Sequence, residues 1–291
     1  MELLVTLRKM EDLEKFAEVA DGLIVGSEYT TAFHLKQKDL SRINEYLKSK
    51  EKKIYVMMDN FIMEDEKKDV SDYLDYLKSL EINGLYFHDL GIFGMARTKQ
   101  FGKDLIYDGK SVLCNSLDSA FLLKTGINAV VLSRELTLKE VKDIVNANPG
   151  RIDLQIFGHL RLSVSRRKFL SNYFKEIKKD YRYFAKETLS LIEEQRDYRL
   201  PIIEDGNGTS IFSDYILEMF DELPELQSKL NHGIVDSLFI NDSDLIVDLC
   251  HEYKRLSADN KDFIKDSFMR KHPADYSKGY LYQKTNITKD E

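Results

Sequence analysis

The chain has 291 residues, with 43 lysines and arginines against 50 aspartates and glutamates, a formal net charge of −7 and a 43% hydrophobic content. Four prolines and fourteen glycines leave little room for disordered linkers, and two widely separated cysteines, Cys114 and Cys250, exclude a disulfide scaffold, a C-x-x-C pair and a four-cysteine cluster built from this chain alone. No stretch reaches the ~18–20 uninterrupted apolar residues of a membrane helix, and the opening Met1-Glu2-Leu3-Leu4-Val5 has no basic region followed by an apolar run, so the expectation is a cytoplasmic protein with no membrane partner.

Short apolar runs alternate with segments of helical periodicity, the signature of parallel strands buried on both faces and joined by helices. Leu3–Val5 opens as a strand, and Met10–Ala20 follows as a helix with Leu13, Phe16, Ala17 and Ala20 at helical spacing. Gly22–Gly26 is the second strand, Leu40–Leu47 a helix, Lys53–Met58 the third strand, Val70–Leu80 a helix and Gly84–Phe87 the fourth strand. Asp104–Tyr107, Ala129–Leu132 and Asp153–Phe157 are strands five to seven, with helices at Ser116–Thr125 and Thr137–Asn148. Thr137 with Glu140 three residues on is a capping box. The rhythm breaks from Gly158 to His232, where a helix is expected over Ile216–Leu226 and a hairpin turn at Gly206-Asn207-Gly208. It resumes with strand eight at Ile234–Ile240 and a helix over Asp244–Leu256.

Eight such units predict a TIM-type (β/α)8 barrel with an insertion after strand seven, in preference to a doubly wound open sheet. The expected organisation is one barrel domain over residues 1–260 that includes an insertion at 158–232, with a C-terminal extension at 261–291 packed on it. In a barrel the functional groups collect where strands end. The strand-end residues are Gly26, Asp59, Asn60, His88, Asp89, Asn115, Arg134, Glu135, His159, Arg161, Asn241 and Asp242. Of these His159 and His88, with imidazoles that titrate near neutrality, and the carboxylates Asp59 and Glu135 are the candidates for proton transfer. Adjacent strand residues point to opposite faces, so His88 and Asp89 share a face only where the chain turns. No zinc-protease or serine-hydrolase motif appears, no phosphate-loop glycine spacing is present, and no metal site is expected.

The stretch Arg161–Lys186 holds nine basic residues and two acidic ones. Tyr173, Phe174, Tyr181, Tyr183 and Phe184 are interleaved among them. Cations that neutralise phosphates beside aromatic rings that stack unpaired bases are what an RNA-facing segment needs, whereas a solvated face over a core is the plainer alternative. A second use of the same cations is bidentate binding of carboxylate by Arg134, Arg161, Arg166 and Arg167, which would suit a dicarboxylate metabolite.

Several segments together resemble the collagenase-like peptidase family, peptidase family U32. They are Glu2-Leu3-Leu4, the strand-to-helix junction Leu132–Glu140, Leu170-Ser171-Asn172-Tyr173, the proline-acidic-glycine run Pro201–Thr209, and Gly279-Tyr280-Leu281-Tyr282. The resemblance implies a barrel-like catalytic domain. Members with the full signature carry two cysteines in the stretch that here runs Phe157–Lys168, and those positions fall on Arg161 and Lys168. The family's Glu-Gly-Arg after the last barrel strand is replaced by Asn241-Asp242-Ser243. The resemblance is therefore to a short, cysteine-depleted subunit of a prephenate-dependent tRNA wobble-uridine 5-hydroxylation system. It implies tRNA and a longer paralogous family member as partners, no cofactor in this chain, and an iron–sulfur cluster only on the partner subunit. Arg134, Arg161, Arg166, Arg167, Lys168, Asn172 and Tyr173 are the residues it points to for tRNA and substrate binding. The alternatives are a collagenase-like hydrolase and a non-catalytic scaffold for a catalytic paralogue.

Overall fold

The structure, a computed structural model, describes residues 1–31, 33–180, 189–192, 194, 197–206 and 208–283. Its centre is a ring of parallel strands: β1 (Glu2–Leu7), β2 (Gly22–Val25), β3 (Lys53–Met58), β4 (Gly84–Phe87), β5 (Asp104–Asp108), β6 (Ala129–Val131), β7 (Ile152–Ser165) and β11 (His232–Val235). β11 pairs with β1 through Leu4↔Ile234 and with β7 through Gly233↔Leu154, which closes eight strands into a barrel and excludes the open sheet. The periodicity explains the result: Leu4, Ile24, Tyr55, Tyr86, Ile106, Ala129, Val131 and Ile234 fill the barrel, while their strand neighbours such as Leu3, Val5, Leu23 and Val56 pack outward under the helices. Full burial of each aliphatic side chain contributes about 1.5–3 kcal/mol.

The outer ring comprises α1 (Leu13–Val19), α2 (Gln37–Ser49), α3 (Lys67–Ser79), α4 (Leu90–Thr98), α5 (Ser116–Lys124), α6 (Leu138–Ala147) and, after the insertion, α9 (Ser243–Arg255). The capping box at α6 is present, with Thr137 Oγ1 accepting from the Glu140 amide and Glu140 accepting from the Thr137 amide at 2.8 Å. The inserted region carries α7 (Phe169–Glu176), β8 (Leu189–Ile192), β9 (Arg199–Asp205), β10 (Gly208–Glu218) and α8 (Leu223–Leu226). α10 (Lys261–Lys271) and β12 (Tyr276–Ser277), which pairs with β10, complete the chain.

Besides one-residue shifts such as the end of β5 at Asp108, and the helix α4, which the sequence reading does not contain, three boundaries differ markedly. β7 does not stop at Phe157 but runs on to Ser165, because β10 pairs antiparallel to it from Glu218↔Phe157 to Thr209↔Ser165. The helix expected over Ile216–Leu226 is therefore the end of β10 followed by a single turn, α8. Strand eight begins and ends earlier, at His232–Val235, because the chain leaves the barrel at Asp236 and Phe239 sits in the left-handed region at φ +65°. At the end of the barrel where strands begin, Tyr86 Oη donates to Asp153 at 2.6 Å and His232 Nδ1 lies 2.9 Å from the same carboxylate.

Candidate functional site

Charged side chains converge where the strands end. Asp59 follows β3, Asp108 closes β5, Lys110 stands two residues on, Arg134 follows β6, and Arg161 rides on the extended β7. Arg161 Nη2 reaches Asp59 Oδ2 at 2.7 Å, and Arg134 grips both oxygens of Asp108 at 3.2 and 3.1 Å. Lys110 Nζ sits between them, 3.4 Å from Asp59 and 3.2 Å from Asp108. On the far wall Arg8 meets Asp236 at 3.3 Å, and Thr6 Oγ1 donates to the same carboxylate at 2.7 Å. Gly158 makes this wall possible: its φ is +112°, and a Cβ there would collide with the Asp236 carbonyl oxygen.

Burial alone would raise the aspartate pKa values, but Arg161 and Lys110 hold Asp59 well below the usual carboxylate range. Arg134 and Lys110 do the same for Asp108, and Arg8 for Asp236. Burial lowers Lys110, its two aspartates oppose that, and the neighbouring arginines add to it. The backbone of Lys110 is in the left-handed region, φ +58°, a conformation a non-glycine residue holds only when its surroundings enforce it.

The buried set counts four cations, Arg8, Lys110, Arg134 and Arg161, against three carboxylates. Arg161 is 9% exposed, lies over the Phe212 ring at 5.5 Å, and has no hydrogen-bond partner for Nη1 among the described residues. An unsatisfied buried donor costs about 1–3 kcal/mol, more when charged. It borders a cleft of about 260 Å³ lined by Lys110, Ser111, Arg134, Glu135, Arg161 and Ser163, among others. An excess positive charge with a free guanidinium N–H is a receptor for a small anion.

The other expected residues fall in different places. Glu135 is exposed at the cleft rim. His159 has Nδ1 2.7 Å from the Ser213 carbonyl, and His88 has Nδ1 2.8 Å from the Asp108 carbonyl; burial lowers both pKa values, and Lys110 lowers His88 further. Each imidazole thus donates from Nδ1 and is favoured in the neutral form. The chain does turn after His88, so Asp89 caps α4 by accepting from Gly91 at 2.7 Å. Asn115 and Asp242 are likewise helix caps, of α5 and α9, and Asn241 accepts from Lys9 at 3.3 Å.

Arg166, Arg167, Lys168, Asn172 and Tyr173 form a second region beside the cleft. Arg166 is held by Glu66 at 3.2 Å, whereas Arg167, Lys168, Asn172 and Tyr173 are exposed. Glu204 of the hairpin accepts from the Leu170 and Ser171 amides at 2.7 and 3.1 Å, which fixes the start of α7. Phe169 and Tyr173, one turn apart, are exposed on α7 while Phe174 is buried. Tyr181, Arg182, Tyr183, Phe184 and Lys186 of the same basic stretch, and Asn207 of the turn, lie outside the described residues.

Sequence reasoning missed Arg8, Asp108, Lys110, Gln155 and Asp236. Asp108 and Asp236 were hidden by strand ends placed one residue early and several residues late, and Gln155, which accepts from Arg134 at 2.9 Å, points into the barrel from inside a strand.

Closed parallel strands, an outer helix ring and charged groups gathered at the strand ends define a TIM-type barrel protein with its candidate site at the C-terminal mouth. The chain belongs to peptidase family U32, whose family model matches residues 14–290. It is 26% identical over 232 residues to the tRNA hydroxylation protein P2 of Bacillus subtilis (strain 168), covering 77% of this chain and 75% of that one. It is 24% identical over 262 residues to an uncharacterized protease of Methanocaldococcus jannaschii, covering 84% of this chain but only 63% of that protein. A solved U32 peptidase structure superposes with a TM-score of 0.44 at 14% identity, covering 68% of this chain and 81% of the other. Among the described residues no helix is long and apolar enough to cross a membrane.

Proposed function

We propose that this chain is a component of a tRNA wobble-uridine 5-hydroxylation system that takes prephenate as its small substrate and contributes the binding of tRNA and of that substrate. The observation that carries the reading is the cation-rich cleft bordered by Lys110, Arg134 and Arg161, with exposed Arg167 and Lys168 and the exposed rings of α7 following its β7 wall in the chain. A carboxylate of prephenate would sit in this cleft, held by the positive potential of Arg161, Arg134 and Lys110. Arg167 and Lys168 would neutralise tRNA phosphates, and Phe169 and Tyr173 offer ring faces to unpaired bases. The bacterial relative's name supports the assignment to tRNA hydroxylation.

An iron–sulfur cluster does not fit this chain's residues. Cys250 is buried in α9, Cys114 is exposed before α5, and among the described residues no group of three histidine, cysteine, aspartate or glutamate side chains is placed to hold a metal. Redox chemistry is accordingly assigned to a longer paralogous partner. The peptidase alternative draws no support from the mouth, where no serine, threonine or cysteine side chain is hydrogen-bonded to a histidine among the described residues.

The test is a tRNA titration over a salt series, with prephenate binding followed by calorimetry. Binding that weakens steeply with salt, with a slope reduced by roughly 1 per residue in Arg167→Ala and Lys168→Ala, is the expected result. Failure to bind tRNA at low salt, alone and with the paralogous partner, would overturn it.

A further inference from the structure

Helix α5 is apolar on both sides. Ser119 is buried and Leu122 and Leu123 pack on the core, yet Leu117 and Phe121, one turn apart on the outer side, are 79% and 67% exposed. Val112, in the loop that leads into the helix, is 62% exposed, and Leu90, the first residue of the neighbouring α4, is 52% exposed. Large apolar residues exposed together on an outer helix face belong under a second layer, and the barrel supplies only one.

We infer that α5 is the contact face of a symmetric dimer, its occupant being a second copy of this chain. The face is complementary to itself. An antiparallel two-fold pairing centred on Phe121 sets the two Phe121 rings against each other and brings Asp118 of one copy level with Lys124 of the other, since both lie three residues from the centre in opposite directions. Both side chains are exposed and of opposite charge, so the pairing supplies its own counter-charges. A stable dimer buries ~800 Å² on each partner, more than a nine-residue helix alone provides, and Val112 and Leu90 extend the apolar surface toward the mouth. The same loop carries Lys110 and Ser111 of the cleft wall, so the interface abuts the candidate site. This inference stands independently of the tRNA reading.

Sedimentation velocity of the full chain over a wide concentration range tests it. The expected result is a concentration-dependent dimer that Phe121→Asp converts to a folded monomer whose circular dichroism spectrum is unchanged, because the side chain is exposed in the single chain, and whose melting temperature no longer rises with concentration. Asp118→Lys and Lys124→Asp should each weaken the dimer roughly fivefold, and the double reversal should restore it. A chain that stays monomeric throughout, including one whose α5 face captures a different protein instead, would overturn the inference. So would a dimer indifferent to Phe121→Asp, or a double reversal no tighter than the singles.

Discussion

Asp59 is 3% exposed and remains ionised because Arg161 and Lys110 face it, so its state depends on them more than on solvent. Replacing Arg161 with methionine strips away the nearer cation, and breaking a buried pair from one side typically costs about 3–5 kcal/mol. Urea denaturation should show that loss, and the double variant Arg161→Met with Asp59→Asn should recover most of it, since no bare carboxylate is left; a double variant as unstable as the single would argue against pairing as the cause. His34 behaves with the opposite sign. Its pKa is raised, chiefly by the hydrogen bond to Asp205, which ties the inserted hairpin to the loop after β2 at 3.3 Å. A raised folded value means the clasp is fully present below about pH 6.5 and is lost as pH rises through the folded value. Amide protection factors in β9, which are corrected for the intrinsic rise of exchange with pH, should therefore fall between mildly acidic and mildly alkaline pH, and His34→Ala should abolish that fall. At this scale Asp59, Arg134 and Arg161 were legible because they stand beside visible strand ends. Asp108 and Asp236 were not, because the eye needs the strand boundary to within one residue and periodicity does not supply it.

For elements, local patterning served the barrel strands and most barrel helices well, missed α4 between β4 and β5, and served the insertion poorly. The runs Lys53–Met58 and Gly84–Phe87 were read with their observed bounds because a strand buried on both faces is uniformly apolar and flanked by polar turns. The Ile216–Leu226 segment misled because its first residues are strand only by virtue of β7, a long-range partner that no local window contains. The α6 capping box was legible from two residues, and Thr137→Ala should cost about 1 kcal/mol of stability by thermal denaturation. On α7, Phe169 and Tyr173 are exposed, and Tyr173 meets Phe174 edge-on at 5.5 Å, so Tyr173→Ala should lower the melting temperature only slightly while, on the proposed function, weakening tRNA binding by about 1–3 kcal/mol. Its salt slope should match the wild type, because a stacking ring releases no counterions. A reduced slope would instead place Tyr173 at a phosphate-linked step.

The whole molecule separates two polar layers by an apolar barrel interior, with the Tyr86–Asp153–His232 group at one end and the ion-pair lattice at the other. The lattice ties β1, β3, β5, β6, β7 and β11 together through Arg8, Asp59, Lys110, Asp108, Arg134, Arg161 and Asp236, so its protonation state bears on closure of the barrel and not on one loop. All three aspartates have folded pKa values below the ordinary one despite burial that pushes the other way. For a depressed carboxylate the stabilisation is fully present above the unfolded value near pH 3.9 and is lost as pH falls through the folded value. Stability measured by urea denaturation should hold between about pH 5 and neutrality and then fall below about pH 4 as the three aspartates protonate. Added salt should change this limb little, since buried pairs are poorly screened, whereas exposed pairs such as Lys68–Asp72 would lose their effect. Arg8→Met should make the limb shallower by removing the charge that most depresses Asp236. A limb identical to wild type in that variant would mean that the Asp236 pair does not contribute to closing the barrel.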